Sequence, residues 1–240
     1  MYQAFIISEL KKWFRDPLMR FMVFYPLLFG LIGRYVVPWL ADFNNFNVDM
    51  FADIILVALT LLTPQVYGAL TGFAILDDRD DHILTAIKVT PLSIHQYLSF
   101  RLATVFILSF IACTFVMWFS NIGNLRIVNI VSIAFLASLA APMTGLLINA
   151  LAKNKIEGFA VMKGVGTILV FPMISLFFID KKELIFAFAP GFWPAKAISS
   201  LIRGEEILLL TYNHYYLIGL VYVILLNIVV YKTFLQKEKV

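Results

Sequence analysis

The sequence predicts an all-α integral membrane protein with six transmembrane helices. An N-terminal interfacial helix, a short helix in a charged loop and an outer re-entrant or interfacial hairpin complete the expected fold. Of the 240 residues, 61% are hydrophobic and 14% are charged, which excludes an ordinary soluble domain. Apolar stretches of about 20 residues recur along the chain, and each is long enough to cross a bilayer as a helix. Residues 1–240 are therefore expected to form one transmembrane domain.

Residues 1–16 predict an amphipathic helix that lies along the inner leaflet, with apolar and charged side chains on opposite faces. Asp16-Pro17 ends it, and the first span follows over residues 18–40. Arg34 is the unusual residue of this span, and two interpretations stay open. It either binds an anionic headgroup or substrate near the outer leaflet, or it snorkels outward beside Trp39 or pairs with Asp42.

The second span, over residues 51–76, carries polar and small residues near its middle. Gly68 and Gly72 form a GxxxG pair, which predicts close packing against another helix. Gln65 and Tyr67 either line a substrate pathway or belong to a kinked, tightly packed helix, since a buried amide needs a partner. With Arg34, they are the candidate pathway residues.

The remaining spans follow the same hydropathy pattern. They are expected over residues 97–119, 127–152, 156–179 and 212–234. Ser93 and Gln96 predict a capping box that begins the third span, and Pro172 is expected to interrupt the fifth. Ala137, Ala141 and Gly145 recur every fourth residue of the fourth span, which favours close helix packing.

The outer hairpin is predicted over residues 183–206. Its apolar part is interrupted by Pro190-Gly191 and Pro194, so it cannot cross the membrane as a regular helix. Gly204 is expected to end its helical portion.

The loop at residues 77–93 is the densest cluster of charge in the chain. Its four aspartates favour the N-terminus of a short helix, where carboxylates are stabilised. Ile83, Leu84 and Ile87 then share one face at helical spacing, and Pro91 ends the helix. We therefore expect an amphipathic helix whose apolar face requires a partner protein to cover it.

This loop resembles the one between the second and third spans of ABC-2 type permeases. The matching features are Arg79 between two acidic residues, Leu84, and the run Val89-Thr90-Pro91-Leu92-Ser93. The family's usual pattern has Glu-Arg-Glu and Gly-Thr-Leu. In this chain Asp78 and Asp80 replace the two glutamates, His82 replaces the glycine, Ile83 replaces the threonine, and Lys88 replaces an apolar residue. In that family the loop carries a coupling helix that docks on an ATPase. The resemblance implies an ATPase contact at Asp78, Arg79, Asp80, Ile83, Leu84, Ile87 and Pro91.

The resemblance extends to the N-terminal elbow helix and to the outer segment before the last span. It implies the membrane half of an ABC exporter, working with separate ATPase subunits that bind ATP and Mg²⁺. A second permease copy, giving a homodimer, or a sibling permease is implied as well. The surface buried between the two permeases is expected to be either the Gly68/Gly72 face or, as the resemblance implies, the first and fifth spans. Lipid-like molecules, peptide antibiotics and drugs are the cargoes it suggests.

Neither catalysis nor cofactor binding is predicted within this chain. The GxxxxGK[ST] pattern of a P-loop is absent, as are HExxH and CxxC, and the three histidines are widely dispersed. No basic stripe with stacking aromatics indicates nucleic acid, so membrane lipids are the expected environment. The competing function is an ATP-independent secondary carrier or a membrane assembly factor. A carrier would be expected to show inverted repeats and buried ionisable residues near mid-membrane.

Lysine and arginine are distributed unequally between the two sides of the predicted bundle. One side carries Lys11, Lys12, Arg15, Arg20, Lys88, Arg101, Lys153, Lys155, Lys237 and Lys239. The other carries Arg126, Lys181, Lys182 and Arg203. The positive-inside rule therefore predicts a multi-pass protein of the inner or plasma membrane, with both termini and the charged loop in the cytoplasm.

Overall fold

The computed structural model describes residues 17–44, 47–83, 87, 93–204 and 206–237, and over these residues the chain is helical with no strand. The α-helices are α1 (Pro17–Leu31), α2 (Val37–Asn44), α3 (Val48–Asp80), α4 (Ile94–Ser120), α5 (Ile127–Ser138), α6 (Ala140–Leu151), α7 (Lys155–Ile168), α8 (Val170–Ser175), α9 (Phe192–Arg203) and α10 (Tyr212–Lys237). A π turn at Ile32–Val36 joins α1 to α2, and 3-10 turns occur at Ile122–Asn124 and Lys181–Phe186. The predicted elbow helix at 1–16 lies outside the described residues.

Six helical stretches are long and apolar enough to cross a membrane, which confirms the predicted spans. They are Phe24–Phe43, Val48–Asp80, Ile94–Ser120, Ile127–Leu151, Lys155–Ser175 and Tyr212–Gln236. The capping box is also confirmed, because the Ser93 hydroxyl accepts from the Gln96 backbone N–H while the Gln96 side chain accepts from that of Ser93.

The fourth and fifth spans are each interrupted near their middle. α5 gives way to α6 at Leu139, three residues before Pro142, and α7 gives way to α8 at Leu169, three residues before Pro172. A proline has no N–H to donate to the carbonyl four residues earlier, and its ring crowds that carbonyl. The predicted interruption of the fifth span is therefore confirmed, and the fourth span repeats it.

The second and fourth spans form the centre of the bundle, and 61% of each is buried. Their small-residue faces meet directly. A methyl group placed on Gly68 would overlap the carbonyl oxygen of Ala141, and one placed on Gly72 would lie 3.3 Å from the Cα atom of Gly145. The GxxxG pair therefore lets the backbones of α3 and α6 approach closely, as the sequence predicts.

The second span is longer than predicted and includes the start of the charged loop. α3 continues through residues 77–80, and Asp81 is its C-cap residue. The prediction that these aspartates begin a new helix is wrong. Acidic side chains are unfavourable at a helix C-terminus. Here, however, Asp78 and the neighbouring Arg79 both bind groups on other helices. Those contacts outweigh the unfavourable position of the aspartates.

The outer segment places α9 against α3, α8 and α10. α9 begins at Phe192, so Pro194 lies in its first turn, where a proline is tolerated, and the helix continues unbroken. Gly204, with a φ of 97°, ends it as predicted. That this segment re-enters the membrane or lies at its interface stays a prediction.

Candidate functional site

The C-terminal end of α3 is fixed by a buried ion pair. The carboxylate of Asp78 accepts hydrogen bonds from the guanidinium of Arg101 and from the hydroxyl of Tyr97, both on α4. The side chains of Asp78 and Arg101 are only 1% and 3% exposed. Because neither charge reaches solvent, each depends on the other for compensation. The pair therefore joins the end of the second span, before the charged loop, to the start of the third span, after it.

The two neighbours of Asp78 connect α3 to other helices. Arg79 donates from Nη1 to the carbonyl of Ala152 at 3.2 Å and from Nη2 to that of Asn149 at 3.3 Å, at the C-terminal end of α6. Such carbonyls have no partner within their own helix. Asp77 forms an exposed 2.6 Å ion pair with Lys155, the first residue of α7. Three consecutive residues, which we call the α3 hub (77–79), thus join α3 to α4, α6 and α7.

The structure places the predicted ATPase-contact residues in two different environments. Asp80 is exposed at the end of α3, but Asp78 and Arg79 contact the protein's own helices. Ile83 is half-buried, while Leu84 and Pro91 lie outside the described residues. An ATPase contact in this loop stays a prediction.

The expectation that Ile87 is exposed is wrong. Its side chain is 7% exposed and belongs to an apolar cluster with Ile75, Ile94 and Tyr97 of the second and third spans. Ile87 packs on the bundle because this cluster offers apolar surface that the sequence of residues 77–93 does not reveal.

The three candidate pathway residues do not come together. Gln65 lines a cavity, and its Oε1 accepts from Thr144 Oγ1 at 3.1 Å. Tyr67 is 4% exposed and packs in a separate apolar cluster with Tyr25. Arg34 is exposed and donates from Nη1 to the carbonyl of Phe119 at 3.1 Å, with its guanidinium 5.4 Å from that ring's centroid.

These positions change how the three residues are interpreted. Arg34 connects the first span to the end of the third, with Phe119 and not Asp42 as its partner. Its snorkelling and its contact with an anionic group both stay predictions. Tyr67 is packed in an apolar cluster away from the cavity, and a pathway role for it stays a prediction. Of the three residues, Gln65 keeps the stronger claim to a pathway role.

The cavity has a volume of about 200 Å³ and lies among α3, α5, α6, α7, α9 and α10. Apolar side chains, among them Met143, Val165, Pro194 and Leu226, form most of its wall. The side-chain amide of Gln65 is its conspicuous polar group, and Nε2 donates to no acceptor within the described part of the chain. A mostly apolar cavity with a single oriented polar group is typical of small-molecule sites.

Sequence reasoning missed a buried polar network on the side of the bundle opposite the α3 hub. Asp53 of α3 accepts from Arg203 Nε at 2.7 Å and from Ser199 Oγ at 2.9 Å. Arg203 also donates from Nη1 to the carbonyl of Leu176 at 3.0 Å. These contacts attach α9 to the second and fifth spans.

A second part of this network is fully buried. Lys196 and Glu183 are 2.6 Å apart with both side chains 0% exposed, and Lys196 also donates to the carbonyl of Phe178 at 2.6 Å. The Tyr215 hydroxyl of α10 donates to Glu183. Burial lowers the pKa of Lys196 from its usual value, while the hydrogen bond that Lys196 donates to Glu183 opposes that change.

A signal for this network is present in the sequence. Lys196, Ser199 and Arg203 are spaced by three and four residues, so they share one face of α9. An otherwise apolar segment with a polar stripe of this kind predicts that the stripe has buried partners. Separately, no group of three or more histidine, cysteine, aspartate or glutamate side chains that could hold a metal ion occurs among residues the structure describes.

The family profile described as "Fluoroquinolones export permease protein Rv2686c-like" matches residues 9–231. Two curated relatives from Mycobacterium tuberculosis are each 32% identical over 201 residues, covering 81% of this chain and 80% of the relative. They are the fluoroquinolones export permease proteins MT2760, of strain CDC 1551 / Oshkosh, and Rv2686c, of strain H37Rv. No solved structure matches the chain. With six helices able to cross a membrane and a match over nearly its whole length, this chain belongs to the Rv2686c-like family of fluoroquinolones export permeases.

Proposed function

We propose that this chain is the transmembrane subunit of an ATP-driven exporter of the ABC-2 type. Membership of an export permease family supports the transport role. The 240 residues contain no P-loop, so ATP and Mg²⁺ would bind to a separate ATPase subunit. The ATPase would act on the permease through the loop that follows α3.

The observation that carries this proposal is the α3 hub. A displacement of the loop would be transmitted directly to α3, because the loop follows the C-terminal end of that helix. Asp78 would pass it to α4, Arg79 to α6 and Asp77 to α7. Closure of the ATPase on ATP binding would therefore tilt four helices together, and this motion would open a pathway toward the outside.

The proposed orientation places the α3 hub in the cytoplasm. Two of the arginines that suggested it are paired within the bundle, Arg101 with Asp78 and Arg203 with Asp53. If Arg101 and Arg203 are left out of the count, each side loses one basic residue, so the excess of basic residues on the cytoplasmic side is unchanged. The test is thiol labelling in intact cells with Cys113 replaced. A cysteine at Asp81 should be shielded from an impermeant reagent and one at Lys182 should react, whereas labelling at Asp81 would reverse the topology.

We further propose that two permease subunits associate through the first and fifth spans, as a homodimer or with a sibling chain. These spans are only 28% and 17% buried within the chain. A methyl group added at Gly164 or at Gly166 would have no atom of the described residues within 4 Å of it. The Gly68 face is already covered by α6, so it is not available for this contact.

A drug-like cargo is the proposal that the relatives favour. Their printed names assign fluoroquinolones to them, and the apolar cavity beside Gln65 suits a weakly polar molecule better than a peptide. A secondary carrier is the alternative, and the buried Glu183–Lys196 pair is an observation in its favour, since carriers use buried titratable groups. Here each charge compensates the other, which supports a structural role instead.

The test uses inside-out vesicles from cells that express the tagged chain with the ATPase that co-purifies with it. Addition of ATP should drive uptake of a fluoroquinolone, and uptake should stop when the P-loop lysine of that ATPase is replaced by alanine. A protonophore should have no effect. Uptake that needs a proton gradient but no ATP would support the carrier and refute the exporter.

A further inference from the structure

The cavity beside Gln65 lies far from both membrane surfaces. α3 begins at Val48 and has 33 residues, so at 1.5 Å per residue Gln65 lies about 26 Å along a helix about 50 Å long. Leu226, which also lines the cavity, is likewise near the middle of the 26-residue α10. A molecule in this cavity would be surrounded by protein at the depth of the hydrocarbon core.

The lining determines which kind of molecule the cavity can hold. None of the residues that form its wall carries a charge. A charged group would lose its hydration there without gaining a counter-ion, which is strongly unfavourable. The occupant must therefore be uncharged and largely apolar where it meets the wall.

The amide of Gln65 adds a specific requirement. Thr144 Oγ1 donates to Oε1 at 3.1 Å, which orients the amide. Nε2 is then left buried, with no acceptor among the described residues. An unpaired buried donor is destabilising, so a molecule that supplies an acceptor at this position gains a favourable interaction that the free protein lacks.

The cavity has one thinly covered wall. α7 packs against α3 and α6, whereas α10 packs against α5, α6 and α9, and the cavity lies between α7 and α10. The fifth span is 17% buried, the lowest share of the six spans. Leu169, the residue at which that span is interrupted, lines the cavity. Wherever a second subunit does not cover it, this side would face the bilayer, and the fifth span is interrupted there.

We propose that this cavity binds the apolar part of the transported molecule and that Gln65 Nε2 donates a hydrogen bond to a neutral carbonyl-type acceptor on it. The molecule enters from the bilayer between α7 and α10. This inference rests on the proposed export function, whose substrate class it specifies.

The volume limits how much of the molecule is enclosed. A 150 Å³ apolar cavity is large enough for benzene, so about 200 Å³ accommodates one substituted ring or a short acyl segment. Two sources share this chemistry, an acyl ester of a glycerolipid and a small aromatic compound with a ring carbonyl. The experiment below separates them.

Benzophenone is a suitable probe because its carbonyl lies between two uncharged rings and, on irradiation, forms a covalent bond at nearby C–H groups. The purified protein in lipid nanodiscs is irradiated over a range of benzophenone concentrations, and labelled peptides are mapped by mass spectrometry. Gln65→Met removes the donor while keeping the side-chain length, and Val165→Phe fills the cavity. Gln236→Met, at an exposed residue of α10 outside the cavity, is the matched control.

In the unmodified protein, labelled peptides should come from the cavity wall on α6 and α10. Gln65→Met should raise the half-saturating concentration about two- to tenfold, the effect of one neutral hydrogen bond. Val165→Phe should remove most labelling, and Gln236→Met should change nothing. Labelling that maps elsewhere, or that is the same in all three variants, overturns the inference.

The melting temperature distinguishes a lost ligand contact from a damaged fold. Gln65→Met eliminates an unpaired donor, and Thr144 can return its hydroxyl to a carbonyl of its own helix. The melting temperature should therefore stay the same or rise while labelling weakens. A Gln65→Met variant that melts normally and labels like the unmodified protein also overturns the inference.

Nanodiscs made with ether lipids, which lack acyl carbonyls, identify the source. Stronger labelling in ether lipids than in ester lipids means that a lipid ester competes for the cavity, and equal labelling assigns it to small aromatic carbonyl compounds. Labelling needs neither ATP nor the ATPase. Specific labelling without ATP-driven export would refute only the proposed function, and export with no cavity labelling would refute only this inference.

Discussion

Replacing Arg101 by leucine leaves the carboxylate of Asp78 buried without its counter-charge. Both side chains are at most 3% exposed, so solvent screens the pair very little. Removing one partner of such a pair typically costs about 3–5 kcal/mol. In a chain of this size each kcal/mol shifts the melting temperature by about 2–4 °C. We therefore expect Arg101→Leu to melt roughly 10 °C below the unmodified protein.

Two further variants show whether the unpaired charge is the cause. Asp78→Asn combined with Arg101→Leu removes both charges and keeps an oxygen to accept from Tyr97, so it should recover most of the loss. Lys155→Met breaks the neighbouring pair with Asp77, whose side chains are 49% and 35% exposed. Exposed pairs contribute at most about 1 kcal/mol, so this variant should melt within about 4 °C of the unmodified protein.

The assay is thermal unfolding of purified protein in one detergent at one scan rate, because membrane proteins often unfold irreversibly and only matched scans are comparable. A shift below about 2 °C for Arg101→Leu would show that the pair is not desolvated as described. Equal losses for the single and double variants would show that packing, and not the stranded charge of Asp78, sets the cost.

Three further predictions concern other parts of the molecule. Gly68→Ala should destabilise the protein by about 1–3 kcal/mol because the methyl group would overlap a carbonyl oxygen of the fourth span; an unchanged melting curve would contradict the packing described. The single variant Lys196→Met should lower the melting temperature more than the double variant that also carries Glu183→Gln, since only the single variant leaves a buried charge unpaired. A larger loss in the double variant would exclude a stabilising ion pair. Ile87→Asp should reduce the thermal stability of the isolated permease, because the side chain is buried in the bundle; unchanged melting with a lost ATPase contact would show instead that the residue serves the partner.

The candidate site was only partly predictable. Gln65 was identified because an amide in the middle of an apolar span needs a partner, which is a local argument. Its difference from Tyr67 was not predictable, since two residues separated by two positions in a helix face different neighbours once the bundle has formed. The roles of Asp78 and Arg79 were missed for the same reason, because their partners lie on α4 and α6, distant in sequence.

The sequence by itself determined the six spans, the capping box at Ser93 and the interruption of the fifth span. Each depends on hydropathy or on the hydrogen bonds of neighbouring residues, so no distant partner is needed to predict it. The tertiary structure alone decided that α3 continues through residues 77–80, that Lys196 and Glu183 pair, and that Ile87 is buried. In these cases the local preference was weak or opposed. The free energy of pairing buried charges and packing apolar side chains across helices decided the outcome.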